Sequence, residues 1–326
     1  MKRIFSVFLG LMLLVASGFV FAQAKEYDDI QKYTGENSFS SIVDNVIAEA
    51  TKQYGNWQTA APHVLIVLDV DNTLLTMPQF LGGVAWFNWQ ETLLGTTNPQ
   101  HVAKNFTNLL LAQRLLFVMN KMALTDAYIP NTLSIYARSG IHIIIDSARG
   151  PEYSSLTDHQ LMDARIVGKG GNSTLFAQYG LKDPNYNSTT YSAELSCKDA
   201  NGKTFTRPVS YVNGALYLSG QDKGVGLECL QDALGYANVS DPSKRQYTYI
   251  IFMDDLQKNL RAVMAEYKNV KNIELDAVHF TKDQNRDVLP ADPAQAAQLK
   301  QKATIEYNSI YNTLADSLID PDLPEK

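Results

Sequence analysis

Only two cysteines, Cys197 and Cys229, occur in the chain, and its five histidines are scattered without ligand-like spacing. That excludes a zinc centre built from clustered thiols and imidazoles. In an oxidising compartment the two cysteines can form one disulfide, and the sequence leaves that pairing open. Positive charge is also in short supply: 28 Lys and Arg stand against 34 Asp and Glu, giving a net charge of −6. Non-specific nucleic-acid binding needs a basic face, so that class is excluded. No internal repeat is present. The stretch G-Q-D-K-G-V-G around Lys223 lacks the G-x-x-x-x-G-K-[ST] order, which excludes a P-loop nucleotide site.

Long apolar runs are confined to the first residues. Lys2 and Arg3 precede an apolar run from Ile4 to Phe21, and Ala22-Gln23-Ala24 follows it. A basic start, an apolar centre and an A-x-A site read as a signal peptide spanning 1–24, with an uncleaved anchor as the alternative. Its removal takes Lys2 and Arg3 away and leaves a net charge of −8. No later run is long enough to cross a bilayer. The expectation is an exported protein, periplasmic or secreted, with no stable membrane span. Oligomeric state is not readable.

The remaining length, 25–326, suits one large domain with insertions or two domains. Its organising stretch is Val64–Thr73, V-L-I-V-L-D-V-D-N-T. The apolar run reads as a strand buried on both faces, at about 63–71. Carboxylates cannot sit cheaply inside such a strand, so Asp69 and Asp71 belong at its C-terminal end. In open α/β sheets ligands bind at that edge. Alternation puts Asp69 and Asp71 on one side and Val70 on the other. Two carboxylates that close imply either an acid/base pair or a divalent-metal site.

Further strands are predicted at 141–147, 215–218, 247–253 and about 273–280. Helices are predicted at 38–55, 99–122, 125–139, 154–166, 223–234, 256–269 and 292–317. Alternating strands and helices imply a mainly parallel α/β sheet with helices on both faces. A helical insertion is expected at about 76–139. A small β-rich, cap-like insertion is expected at about 167–208, where Gly, Asn, Tyr, Ser and Thr predominate. Trp86, Phe87 and Trp89 follow the carboxylate pair and either line a pocket or pack a core.

Four strand ends then carry reactive groups: Asp69 and Asp71, Ser147, the loop leading to Lys223, and Asp254 with Asp255. A parallel sheet gathers such ends along one edge. In this order they resemble the motifs of the haloacid-dehalogenase-like (HAD) phosphohydrolases. L-D-V-D-N-T-L is similar to the first motif, D-x-D-x-T. I-I-I-D-S is similar to the second, Lys223 to the third, and I-I-F-M-D-D to the fourth. The resemblance covers about 63–280 outside the insertions, and with export it points to the secreted bacterial acid-phosphatase-like branch. Asp146, before Ser147, departs from the pattern and is expected to face away from it in a structural role.

The resemblance implies a Rossmann-like fold and a Mg²⁺-dependent phosphomonoester hydrolase acting on a small phosphorylated substrate. Asp69 would be the nucleophile and form an aspartyl-phosphate, and Asp71 the general acid and base. Ser147 and Lys223 would contact the phosphoryl group, and Arg149 is a further substrate-contact candidate. Mg²⁺ would be held by Asp69, Asp254, the main chain of Asp71 and Asp255. Asn259 is either a support for Asp254 or an exposed polar residue, the second being favoured. A phosphotransferase with the same intermediate and a non-catalytic binding protein on the same scaffold are the alternatives.

Overall fold

The computed structural model describes residues 31–33, 39–182, 192–198, 202, 204–237, 245–268, 270, 272–281 and 289–317. The expected signal peptide lies outside the described residues. Among the described residues, ten strands and ten α-helices follow one another. β1 (Gln31–Tyr33), α1 (Phe39–Tyr54) and α2 (Trp57–Ala60) lead into β2 (Val64–Leu68). β3 (Leu75–Thr76), α3 (Val84–Leu93), α4 (Phe106–Met119), β4 (Ala123–Leu124) and α5 (Ile129–Arg138) come next. β5 (His142–Ser147), α6 (Ser154–Asp163), α7 (Leu175–Tyr179), β6 (Ser192–Glu194), β7 (Ser210–Val212) and β8 (Ala215–Tyr217) follow. The chain then runs through α8 (Lys223–Ala233), β9 (Tyr249–Asp254), α9 (Gln257–Tyr267), β10 (Glu274–Phe280) and α10 (Pro293–Ser317).

Eight strands form one sheet in the order β1-β10-β9-β2-β5-β8-β7-β6. The first six in that order are parallel, and β7 and β6 extend the edge antiparallel. The predicted α/β fold with a mainly parallel sheet is therefore what the structure has. β2 lies at the centre, with Leu68 level with Met253 of β9 on one side and Ile145 of β5 on the other. All five of its side chains are buried, which is why it reads as an unbroken apolar run. Val64, Ile66 and Leu68 pack with α1, α5 and α7 on one face, and Leu65 and Val67 with α8 and α9 on the other. On α1, Phe39, Val43, Ile47 and Ala50 form the buried stripe that helical periodicity requires.

Three details differ from the sequence reading. The first strand stops at Leu68 instead of 71, because a tight turn takes over. Within the helical insertion, α5 belongs to the main body: Ile129, Leu133 and Ala137 pack on the sheet. The described strands of the β-rich segment add to the main sheet at its β8 edge and form no sheet of their own.

A third hydrophobic cluster stands apart from the sheet. It joins α3 and α4 to the C-terminal helix α10 through Trp86, Trp89, Leu109, Leu116, Ala303 and Tyr307. Trp86 and Tyr307 face each other with ring centroids 6.2 Å apart. The aromatic stretch after the first strand thus builds a helical core. The chain enters and leaves the α3–α4 part of this module through the short β3–β4 ladder, which follows the turn at the end of β2. A disulfide joins Cys197 to Cys229 with Cα atoms 5.6 Å apart, tying the segment after β6 to α8. Among the described residues no helix is long and apolar enough to cross a membrane.

Candidate metal and catalytic site

The site begins where β2 ends. Asp69 keeps the ladder bond of the sheet, its N–H donating to the Met253 carbonyl at 3.0 Å. The chain then folds back on Val70, whose carbonyl accepts from the N–H groups of Leu74 at 3.0 Å and Leu75 at 2.9 Å. Asn72 takes φ 62°, a left-handed conformation that Asn tolerates better than most residues. Its side chain accepts from the Thr76 hydroxyl at 3.0 Å, closing the turn. Val70 goes into the core, while Asp69 and Asp71 stay at the sheet edge.

β9, next to β2, ends in Asp254 and Asp255. Carboxylate oxygens of Asp69, Asp254 and Asp255 lie within 4.8 Å of one another, and all three residues are buried. Asp254 is held on both oxygens. The Leu256 N–H donates to Oδ1 at 2.8 Å, and the Asn259 amide donates to both oxygens at 3.0 Å. The favoured reading of Asn259 as merely exposed is therefore overturned: one turn into α9, it faces back to the strand end. The His279 ring sits 2.9 Å from the Asp255 carbonyl, steadying the same loop.

Lys223 closes the arrangement from α8. Its ammonium donates to Asp69 Oδ1 at 2.6 Å, to Asp254 Oδ2 at 2.8 Å and to the Asp146 carbonyl at 2.7 Å. An ammonium has three protons, so all are committed. The helix start is capped by Asp222, whose side chain accepts from the Val225 N–H at 3.0 Å. Gly224 and Gly226 explain why glycines flank Lys223. A Cβ on Gly224 would lie 2.5 Å from the Ala262 carbonyl, and one on Gly226 2.3 Å from Leu218. Both glycines let α8 settle close to α9 and β8, which brings Lys223 to the strand ends.

Charge in the site does not balance. At the sheet edge four carboxyl groups, Asp69, Asp71, Asp254 and Asp255, meet two cations, Lys223 and Arg149, and a fifth carboxyl, Asp146, lies buried near Lys223 in an environment that favours its neutral form. The surplus is two negative charges, the complement of one divalent ion. Burial pushes the Asp69 carboxyl up to about 7, Lys223 opposing and Asp254 and Asp71 adding to the rise. Burial, followed by Asp69 and Asp254, pushes Asp255 up to about 9. For Lys223 burial acts downward, but Asp254 and Asp69 outweigh it and raise the ammonium. Both raised carboxyls take up protons more readily than free ones, which lessens the surplus. The donor set is all oxygen and suits Mg²⁺ in kind.

Over residues 37–320 the chain matches the family model described as a protein of unknown function (DUF2608). It belongs to that family. No curated protein and no solved structure matches the chain.

In this DUF2608 member the remaining site residues fall around Asp71. Its carboxylate lies outside the metal-like trio and is gripped by Arg149, Nε to Oδ2 at 2.9 Å and Nη2 to Oδ1 at 2.7 Å. Arg149 Nη1 donates to Thr157 Oγ1 at 2.9 Å and Gln160 Oε1 at 2.8 Å on α6. The guanidinium carbon lies 4.7 Å from the centre of the Phe117 ring. Burial works against the Arg149 charge, and Asp71 more than restores it. Ser147, fully buried at the end of β5, accepts from the Arg149 N–H at 3.1 Å. Asp146 alternates to the opposite face, and its carboxyl has no hydrogen-bond partner among the described residues. Burial raises that acid well above the usual carboxylate range, which favours its neutral form.

Sequence reasoning named Asp69, Asp71, Ser147, Arg149, Lys223, Asp254 and Asp255, and the structure gathers all seven at one sheet edge. It missed Thr157, Gln160 and Phe117, which surround Arg149. Nothing in their spacing announces a shared partner.

Proposed function

We propose that the protein is a phosphomonoester hydrolase of the HAD type, using Mg²⁺ and an aspartyl-phosphate on Asp69. The observation that carries this reading is the meeting of Asp69, Lys223, Asp254 and Asp255 from three separate strand ends, with two negative charges left over. A phosphomonoester dianion repels an anionic nucleophile, so a site for it must bring positive charge and hold the attacking oxygen in line. Asp69, Asp254 and Asp255 would hold Mg²⁺, which when bound neutralises charge on the phosphoryl oxygens.

The protein residues then divide the work. An oxygen of Asp69 forms a bond to phosphorus as the bond to the leaving oxygen breaks. Asp71, which must carry a proton when the substrate is bound, gives it to that oxygen. In the second half, water attacks phosphorus, the Asp69–phosphorus bond breaks and Asp71 takes the water's proton. Ser147, which accepts from the Arg149 N–H, retains its own hydroxyl proton for a phosphoryl oxygen. Lys223 keeps Asp69 and Asp254 apart in charge and close in space, a preorganised electrostatic role. Export, supported by the A-x-A leader and the Cys197–Cys229 disulfide, puts the reaction outside the cytoplasm.

The test is hydrolysis of p-nitrophenyl phosphate by the purified protein with Mg²⁺ and with EDTA. Activity is expected only with the metal. Asp69→Asn is expected to lose at least about a thousandfold in kcat, as removal of a covalent nucleophile does. Wild-type turnover by the Asp69→Asn protein would reject the assignment.

A further inference from the structure

Arg149 is buried and donates four hydrogen bonds from its guanidinium, and neither the nucleophile nor the metal-like trio uses it. Its fork lies on Asp71, and α6 and α4 hold the other side of the guanidinium. Gln160 accepts from Arg149 and donates to the Phe117 carbonyl at 3.2 Å, so one side chain joins the three elements. Tyr153 adds a second tie, its hydroxyl donating to the Leu110 carbonyl of α4 at 2.9 Å. Side-chain exposure is 4% for Arg149 and 26% for Asp71: the guanidinium is enclosed and the carboxylate is reachable.

We infer that Arg149 is a positioning residue: it fixes the orientation of the Asp71 carboxyl for proton transfer, and Phe117, Thr157 and Gln160 fix Arg149. The inference rests on the phosphatase reading and specifies how its acid and base is aimed. A free aspartate side chain turns about two bonds. A bidentate guanidinium removes that freedom and sets the carboxyl plane. Two of the four lone-pair directions of the carboxylate are occupied by the fork, which leaves two for a proton in transit. Arg149 touches neither phosphorus nor the leaving group in this role. Because Phe117 lies on α4, that helix contributes to the aim of Asp71.

The experiment compares two leaving groups. Arg149→Met keeps the length and the apolar contact with Phe117 but removes the fork. p-Nitrophenolate leaves without a proton, whereas the alkoxide from glycerol 2-phosphate needs one. General acid catalysis contributes ~10²–10⁴-fold. Arg149→Met is therefore expected to lower kcat/KM, which reports the steps up to departure of the leaving group, about a hundredfold on glycerol 2-phosphate and less than about fivefold on p-nitrophenyl phosphate. The second half, in which Asp71 takes the water's proton, is common to both substrates and enters kcat alone. In an Asp71→Asn background the same change is expected to cost nothing further, since both act through one group. Arg149→Lys, with a point charge and no fork, is expected to recover only part of the loss.

Equal losses of kcat/KM on both substrates, or additive losses with Asp71→Asn, would each overturn the role while leaving the phosphatase reading intact. A wild-type protein that hydrolyses neither ester would remove the phosphatase reading and this role with it. Where Arg149→Met melts too low to assay, Phe117→Leu leaves both ion-pair partners in place. It is expected to show the same leaving-group bias at about fivefold, and its absence overturns the proposal.

Discussion

Asp69 and Lys223 are 154 residues apart in sequence and 2.6 Å apart in space, with side-chain exposures of 7% and 1%. The pair joins the central strand to a helix that starts six described strands later in the chain. Its second carboxylate, Asp254, is fully buried. One ammonium thus holds together two acids that would otherwise repel each other in a medium that screens poorly.

Removing that ammonium leaves buried carboxylates uncompensated. Lys223→Met is expected to cost about 3–5 kcal/mol of folding stability, measured by urea unfolding at pH 8. The deficit should shrink on acidification towards pH 5.5, because protonation then does what the lysine did. Equal stability of variant and wild type at pH 8 would show that the ion cluster does not constrain the fold.

Metal-free protein is expected to lose stability as pH rises. The sign follows from the raised carboxyls: Asp69 at about 7 and Asp255 at about 9 exceed their ordinary 3.8. Between roughly pH 4 and 9 the folded chain therefore holds protons that the unfolded chain has released, and stability falls with pH by an amount on the order of a few kcal/mol. Mg²⁺ competes for the same oxygens. Its stabilisation should be small at pH 5.5 and large at pH 8.5 in melting curves with Mg²⁺ against EDTA. A Mg²⁺ effect that does not grow with pH would contradict this account of the cluster.

Much of this was readable before any coordinates. The four parallel strands at the centre announce themselves because each is buried on both faces and so is apolar throughout, as Val64–Leu68 shows. Acids placed just after such runs have only the sheet edge available, which located Asp69 and Asp254. Three features were not readable, for physical reasons. The strand end at Leu68 depends on the left-handed Asn72, a conformational choice made by the turn as a whole. The partner of Arg149 is set by a long, flexible side chain that can reach in many directions. The docking of α10 on α3 joins residues such as Trp86 and Tyr307 that no local pattern relates. Short β1, only Gln31–Tyr33, carries too few residues for a period to show.

Asn259 offers a separate handle on the metal-like trio. Its amide donates to both oxygens of Asp254 and has no place in the proposed chemistry of phosphorus. Groups that orient a ligand from behind typically contribute ~10–100-fold to metal affinity. Asn259→Ala is expected to weaken Mg²⁺ binding by about tenfold in calorimetric titration, with kcat largely restored at saturating Mg²⁺. Unchanged affinity would reduce Asn259 to a helix-packing residue.

The helical module yields a prediction that concerns stability alone. Tyr307 is fully buried against Trp86, and its hydroxyl has no hydrogen-bond partner among the described residues. A buried hydroxyl without a partner carries its desolvation cost uncompensated, on the order of 1 kcal/mol or more. Tyr307→Phe removes the oxygen and keeps the ring, so it is expected to be neutral or to stabilise by up to about 1 kcal/mol. Trp86→Ala removes the opposing ring and opens a cavity, at a cost of about 3–5 kcal/mol. Thermal unfolding of the two variants side by side measures both effects. A Tyr307→Phe protein that melts well below wild type would mean that the hydroxyl does bond to something, and the packing of α10 on α3 would have to be redrawn around that bond.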